Sequence, residues 1–500
     1  MAAARSACAP QAARAVKVAT RSGSSVALVE DSGRRLLYIA DEDHGAVHVL
    51  DAEGPTELAV TALPGRPAQL LPLADGRVLV TLRDRNRVVA LEPGARPEDG
   101  LVSLCERPTY VEPGGLAASP DGRRVAVTAG WDHRLMLLEG RSLDLERAVV
   151  LPAEPRGVLV TDDGEDAYVT HLIGGAISVV SLARPDDPPR RVSTRPDRLR
   201  AVARKGAGAP VAINPSQELA AAQGHALVAI SLGSSEGRPW PARIFAPMAS
   251  SDPMRFNSDV SFPGVYGGGG SGRPAVIGAF VAVIDPAAVA PLGGEVAPLR
   301  EARPEDCIQP RGVAAHGDRL LLACLGVDAL VELDARAADP ISAERRRFRV
   351  GAGPTGVAVD PARARALVFS QWAGAITVVD LAEPAREEPR LLRLARPERP
   401  ALSPQIARGA GALSRHPRRA HLRRWPRLRE LPPRRPRGRP HLGDAGRAEA
   451  DRVARRPRLR LGAVPSPPSS IGWSRPRHRT DRASFSPWSG RRPPCARWLT

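Results

Sequence analysis

Residues 354–380 read PTGVAVD (354–360), PARA (361–364), RALVFS (365–370), QWAG (371–374) and AITVVD (375–380). Gly356-Val357-Ala358-Val359-Asp360 alternates and stops at a turn begun by Pro361. Ala366-Leu367-Val368-Phe369-Ser370 is a second apolar run, and Ala375-Ile376-Thr377-Val378-Val379-Asp380 follows a break at Gly374. Short β-rich runs closed by turn residues predict an antiparallel meander, not helices. Arg390-Leu391-Leu392-Arg393-Leu394 supplies a fourth strand. One such sheet cannot cover both its faces, so copies of it must stack.

The copies are present. The first unit has Ser25-Val26-Ala27-Leu28-Val29, Leu36-Leu37-Tyr38-Ile39-Ala40 and Val47-His48-Val49-Leu50-Asp51. The fourth repeats the plan with Gly157-Val158-Leu159-Val160, Ala167-Tyr168-Val169-Thr170 and Ile177-Ser178-Val179-Val180. Units two, three and six follow around Leu79, Val127 and Leu322. The fifth is blurred: Ala226-Leu227-Val228-Ala229-Ile230 and Phe280-Val281-Ala282-Val283-Ile284 are separated by Gly233 to Pro274, a Gly/Ser/Pro-rich insertion centred on Tyr266 and Gly267 to Gly270. A loop of that length is functional or disordered, and we expect it to lie over one face. Ala15-Val16-Lys17-Val18-Ala19 stands alone before the first unit; its expected role is to complete the last sheet of a circular array. Seven units of about 40–50 residues imply an all-β fold, a seven-bladed β-propeller over residues 15–400, after a disordered 1–14.

The repeat resembles the YVTN-type β-propeller family, whose blades carry strand, turn, Tyr-Val-Thr/Ala, turn and Val-x-Val-Val-Asp. Tyr38-Ile39-Ala40, Tyr168-Val169-Thr170 and Ile376-Thr377-Val378-Val379-Asp380 carry the likeness. It is specific for fold and weak for function. Propellers of this kind occur fused to a cytochrome c domain similar to the di-haem peroxidase group, which implies extracytoplasmic electron transfer for such a parent.

The chain from about Gly409 breaks the habit of the body. Residues 401–500 hold 25 Arg against 5 acids, so the first 400 residues carry only −2 of the total +18. Arg, Pro, Gly and Ser replace aliphatic alternation, and such a segment cannot bury enough apolar surface to order itself. Trp425, Trp473, Trp488 and Trp498 among the arginines have the chemistry of single-strand nucleic-acid binding, but no fold presents them, and nucleic acid is not the expected partner. Lysine occurs only at Lys17 and Lys205, a skew that points to GC-rich DNA. Read one base out of phase, the codons of Leu428 to Arg435 permit Cys-Ala-Ser-Cys-His-Pro-Asp-Gly, the c-type haem signature. The tail is therefore read as an out-of-frame remnant of a cytochrome c segment, the chain as written holding no haem and its in-frame parent holding haem c.

Candidate site residues lie in turns. Asp41-Glu42-Asp43-His44 brings carboxylates and an imidazole together, yet no spaced partner completes a metal site, and a solvated turn is the expectation. Trp131-Asp132-His133 and Ser370-Gln371-Trp372 occupy equivalent turns that line a propeller face. Asp51, Asp285, Asp334 and Asp380 recur after the third strand, where Asp bonds its own backbone. The possible ligand-face residues are thus Asp41, Asp43, His44, Trp131, His133, Trp372 and Tyr266, with no catalytic, cofactor-binding or metal residue assigned. No nucleophile elbow, zinc-protease motif, phosphate loop or Cys-x-x-Cys is present. Cys8, Cys105, Cys307, Cys324 and Cys495 are too sparse for a disulfide scaffold; a Cys307–Cys324 bridge can form in an oxidising compartment, but buried free thiols are expected. No signal peptide is visible before Ala19, and no window is apolar enough to span a membrane. Two functions stand side by side. One is a monomeric, non-catalytic propeller binding a protein or small ligand on one face. The other is a haem-c electron-transfer protein whose cytochrome segment lies in another frame.

Overall fold

Period-two alternation becomes sheet wherever one face finds a cover. The computed structural model describes residues 8–10, 14–194, 220–231, 234–235, 238–239, 242–251, 277–292 and 307–395. Seven antiparallel sheets of four or five strands follow one another along it, bounded by Val16–Ala62, Pro67–Pro108, Pro113–Val150, Pro155–Ser193, Ala220–Pro291, Pro310–Arg349 and Pro354–Arg393, and Ser234–Ser235 pairs with Arg238–Pro239 in a separate small sheet. The seven larger sheets are the blades of a seven-bladed β-propeller. Helix among the described residues is confined to three-residue turns such as Pro361–Arg363. The Arg-rich tail and Tyr266 lie outside the described residues.

Within each blade the first strand lies innermost, at the axis, and the rest step outward. Blade seven shows the plan: Pro354–Asp360, Arg365–Ser370, Ala375–Asp380 and Arg390–Arg393 pair in order. Seven apolar clusters fill the seven gaps between neighbours. The one that closes the ring joins Val26, Leu37 and Leu50 of blade one to Leu367, Phe369 and Leu394 of blade seven. Polar bonds cross the same seam: Ser25 Oγ lies 3.2 Å from Thr355 Oγ1, and Arg35 reaches Asp360 at 2.7 Å. Closure by side chains needs no strand shared between the ends.

The structure corrects four expectations. Val16–Val18 does not complete blade seven; it pairs with Val26–Asp31 inside blade one. Residues 19–25 then run along the axis, where Gly23 N donates to Leu116 O at 2.7 Å and Ser24 N to Leu70 O at 3.1 Å. The inner strands of blades two and three offered free backbone groups at the axis, and this segment satisfies them. The four described cysteines are not free thiols: Cys8 bonds Cys105 and Cys307 bonds Cys324. Part of the expected insertion is a blade strand, since Arg243–Ser251 pairs with Ile277–Asp285 through eight residues. Apolar Ile244, Phe245, Ala246 and Met248 there are buried. The Asp41 turn is not solvated, because Asp41 and His44 are buried and bonded to each other.

A bulge opens each inner strand of blades two, three, four, six and seven, just after its first proline. Bulges leave backbone groups unpaired, and in blades two, three and four a threonine on the second strand bonds them. Thr128 Oγ1 accepts from Gly115 N and donates to Arg156 O of the next blade, both at 2.7 Å. Thr81 bonds Gln69 N and Gly114 O in the same way. Replacing buried Thr128 with Val keeps its shape but strands a donor and an acceptor, so unfolding free energy should fall by about 1–3 kcal/mol. Thr128→Ser should stay near wild type in the same urea titration. A Val variant melting with the wild-type midpoint would remove this role from the hydroxyl.

Blades are also stapled at their outer ends by arginines at the start of the second strand. Arg124 Nη1 donates to Leu182 O at 2.9 Å, and Arg365 donates to Ala52 O and Glu53 O. Arg77 is the most buried of them, donating from Nη2 to Gly140 O at 2.6 Å and from Nη1 to Arg141 O at 2.9 Å. Each carbonyl follows the third strand of the next blade.

Candidate functional site

The inner strands surround a cavity of about 880 Å³ that runs their length, from Gly114, Arg156, Arg311 and Thr355 at their first residues to Val160, Ala315 and Val359 near their last. Close approach of strands at the axis fixes the residue type there. A Cβ on Gly115 would stand 2.1 Å from Arg156 O, and one on Gly356 would stand 2.2 Å from Ser25 Oγ. Only glycine allows this spacing. The pattern that results is Pro-x-Gly in blades three, four, six and seven, with Gly114, Arg156, Arg311 and Thr355 at x. The bulge aims x at the channel mouth.

Two of those positions hold arginine, and a third comes from Arg83, which directly follows the second strand of blade two. Their surroundings differ. Arg83 pairs with Glu42, which occupies the equivalent position in blade one. Arg156 pairs with Glu112 at 3.0 Å and Glu154 at 2.6 Å. Arg311 has no carboxylate partner among the described residues; its Nη1 lies 3.2 Å from His225 Nδ1, and its Nε is buried without a hydrogen-bond partner. Burial first, then the guanidiniums of Arg156 and Arg83, bring the Arg311 pKa down to about 10. The same burial, with Arg311, Arg156 and Arg83 nearby, lowers the His225 pKa well below the ordinary histidine value. His225 is therefore neutral. With Nδ1 accepting from Arg311, its proton sits on Nε2.

His225 reaches this place through an irregularity of blade five. Its inner strand is split into Ala220–Ala222 and Val228–Ile230, both pairing with Arg243–Ser251. The intervening residues bend toward blade four, where Gly224 N donates to His171 O at 3.0 Å. A Cβ on Gly157 would meet His225 O at 2.7 Å, so the bend is seated against blade four. At the far end of the strands charge is balanced differently: Arg21 pairs with Asp162, and both line the cavity.

The turns at Asp41 to His44, Trp131 to His133 and Ser370 to Trp372 share the face of the Arg311 mouth, since each joins a second to a third strand. Trp372 lines the cavity, and Gln371 Nε2 donates to Asp43 Oδ1 at 2.9 Å, joining blades seven and one. Burial raises the pKa of Asp43 and of Glu42 above the ordinary carboxylate values, against the opposing pull of Gln371 and Arg83 respectively. Asp41 and His44 do not reach the cavity; they bond each other within their turn at 2.7 Å. Trp131, 68% exposed, and exposed His133 stand on the rim away from it. Asp51, Asp285, Asp334 and Asp380 each accept the amide two residues on. Among the described residues no group of three or more His, Cys, Asp or Glu is placed to hold a metal ion, and no helix is long and apolar enough to cross a membrane. Sequence reading missed Arg83, Arg156, His225 and Arg311. The repeated tripeptide Pro155-Arg156-Gly157 and Pro310-Arg311-Gly312 was the available signal for two of them.

No family model matches the chain, and no curated protein matches it. Among solved structures it is similar to Kuenenia stuttgartiensis hydrazine synthase, with 14% identity over 69% of this chain and 92% of that one and a TM-score of 0.49. It is also similar to the dihydro-heme d1 dehydrogenase NirN in complex with DHE, at 15% identity, 73% of this chain, 74% of that one and a TM-score of 0.40.

Proposed function

We propose that this protein is a non-catalytic binding module whose ligand enters the central cavity from the Arg311 mouth. The observation that carries the reading is the cavity itself, about 880 Å³ with charged and apolar walls at the axis of a rigid ring. That volume falls within the range of small-molecule sites. The Ser178–His171 pair, 2.8 Å apart, is buried and does not line the cavity, and no metal cluster among the described residues stands there to turn binding into turnover.

The test fills the mouth. Gly114 occupies the x position of blade three, and a Cβ there would meet only Thr128 Oγ1, at an ordinary 3.6 Å. Gly114→Trp should therefore fold with a melting temperature near wild type and place an indole in the cavity. Small molecules found by calorimetry to bind wild type should lose at least about tenfold in affinity, the cost of displacing packed apolar contacts. Undiminished binding to a well-folded variant would move the site elsewhere.

A second reading concerns the parent. The composition break near Gly409 and the Cys-x-x-Cys-His that a shifted frame permits support a cytochrome c segment encoded downstream of the propeller. The chain as written does not fit covalent haem: four cysteines are in disulfides, and Cys495 has no second thiol or adjacent histidine. The two disulfides favour an oxidising, extracytoplasmic compartment. Sequencing the coding DNA tests this, since a shifted frame from Gly409 without the haem signature ends it.

A further inference from the structure

We propose that the cavity is selective for an organic anion: a carboxylate or comparable oxyanion head held between Arg311 and His225, with an apolar body along Val228, Val313 and Val359. The proposal rests on the reading of the cavity as a ligand site and adds the chemistry of the ligand. Of the three arginines at the mouth, two already have carboxylates, whereas Arg311 has a neutral imidazole. A guanidinium so placed costs free energy in the ligand-free protein, because it is desolvated with no carboxylate paired to it among the described residues, the nearby Glu42 being paired with Arg83. Its buried Nε is a donor with no acceptor. His225, with Nδ1 occupied by Arg311, has only a donor left at Nε2. Both residues line the cavity and offer it donors, while the Glu42 carboxylate in the same lining is taken by Arg83.

Such a pair suits an anionic head and rejects a cation or a second donor. Arg156 and Arg83 add to the positive potential at this point, which is why burial does not act alone on Arg311 and His225. Further down the wall the lining changes to Val228, Val313 and Val359 from blades five, six and seven, each only half-buried. Those side chains gain from covering apolar surface and offer no hydrogen bond. Head at the mouth and hydrocarbon below is the arrangement they share.

Three probes of equal length separate the possibilities: octanoate, 1-octanol and octylammonium, titrated into the full chain by calorimetry. Octanoate should bind at least about tenfold more tightly than octanol, and octylammonium more weakly than either. Arg311→Met should reduce octanoate affinity by about 10- to 100-fold, the range for losing a charge-assisted hydrogen bond, and leave octanol affinity unchanged. Arg311→Lys keeps a cation without the planar fork and should fall between. Free Arg311→Met should melt at or above the wild-type temperature, the reverse of what loss of a structural residue gives. Octanol binding as tightly as octanoate, or octanoate binding indifferent to Arg311→Met, overturns the anion assignment while the cavity remains a ligand site. No binding of any probe overturns both.

Discussion

Arg77→Ala should lower the unfolding free energy by about 3–5 kcal/mol, the cost of leaving three carbonyls at a blade seam without their donor. The Arg77 side chain is 2% exposed and donates to three carbonyls, those of Cys8, Gly140 and Arg141. It also pairs with Asp75 at 2.7 Å. One guanidinium thus ties blade two to blade three and fixes residue 8, which the bridge to Cys105 holds a second time. An ammonium cannot span these acceptors, so Arg77→Lys should recover less than half of the loss. Arg124 makes the equivalent bond in blade three with its side chain 44% exposed. Solvent competes there, and Arg124→Ala should cost under about 1 kcal/mol. Urea denaturation compares the three variants directly. An Arg77→Lys variant as stable as wild type would show that the fork geometry contributes nothing.

Those arginines also revise a reading of composition. The near absence of lysine pointed to coding bias, and at Arg77, Arg346 and Arg365 the geometry uses what only a guanidinium offers. Arg346, for instance, reaches Ala382 O at 2.8 Å and Leu381 O at 2.9 Å from two nitrogens. Either origin of the arginines is compatible with their use.

What was legible in the sequence is what is local. Val357 to Asp360 alternates, Phe369 belongs to a continuous buried run, and a turn separates them, so the meander and the blade count followed from neighbours in the chain. Blade five was blurred because its inner strand breaks around His225 and its second strand, Arg243–Ser251, includes Pro247 and a stretch without alternation. Proline in a strand argues against one on local grounds. Here the pairing with Ile277–Asp285 overrides it. The cavity was not legible at all. His225 and Arg311 are 86 residues apart and meet only because blades five and six are neighbours. Cys8 and Cys105, 97 residues apart, meet because the chain's start lies against blade two. Spacing along a chain carries no trace of such encounters.

His48→Leu should destabilise the protein by about 3–5 kcal/mol near pH 5.5 and by clearly less near pH 9. His48 is wholly buried between two acids, with Nδ1 2.6 Å from Glu57 Oε1 and Nε2 3.4 Å from Asp41 Oδ2. Asp41 also bonds His44, and Glu57 Oε2 accepts from Ala395 N at 2.6 Å, just past the last strand of blade seven. The network therefore lies on the seam that closes the ring. Burial alone would lower the His48 pKa, but its contacts with the Asp41 and Glu57 carboxylates outweigh that and raise it. Burial alone would raise the Asp41 pKa, and the contacts with His48 and His44 outweigh that and lower it. The two shifts act in opposite directions on stability. A raised histidine pKa gives stability that is complete below the unfolded value of about 6.5 and is lost as pH climbs through the folded value. A lowered aspartate pKa gives stability that is complete above about 3.9 and is lost as pH falls through the folded value. Between about pH 4 and 6.5 both are present, and the imidazolium is flanked by two carboxylates. Leucine there leaves Asp41 and Glu57 facing each other without a cation, whereas at high pH the wild type has already given up that cation. His48→Gln keeps a hydrogen-bonding side chain without the charge and should flatten the difference between the two pH values. Chemical denaturation of wild type and both variants at each pH supplies the comparison, and contributions from groups elsewhere cancel in the differences. Equal penalties for His48→Leu at both pH values would mean that the buried imidazole acts through shape alone.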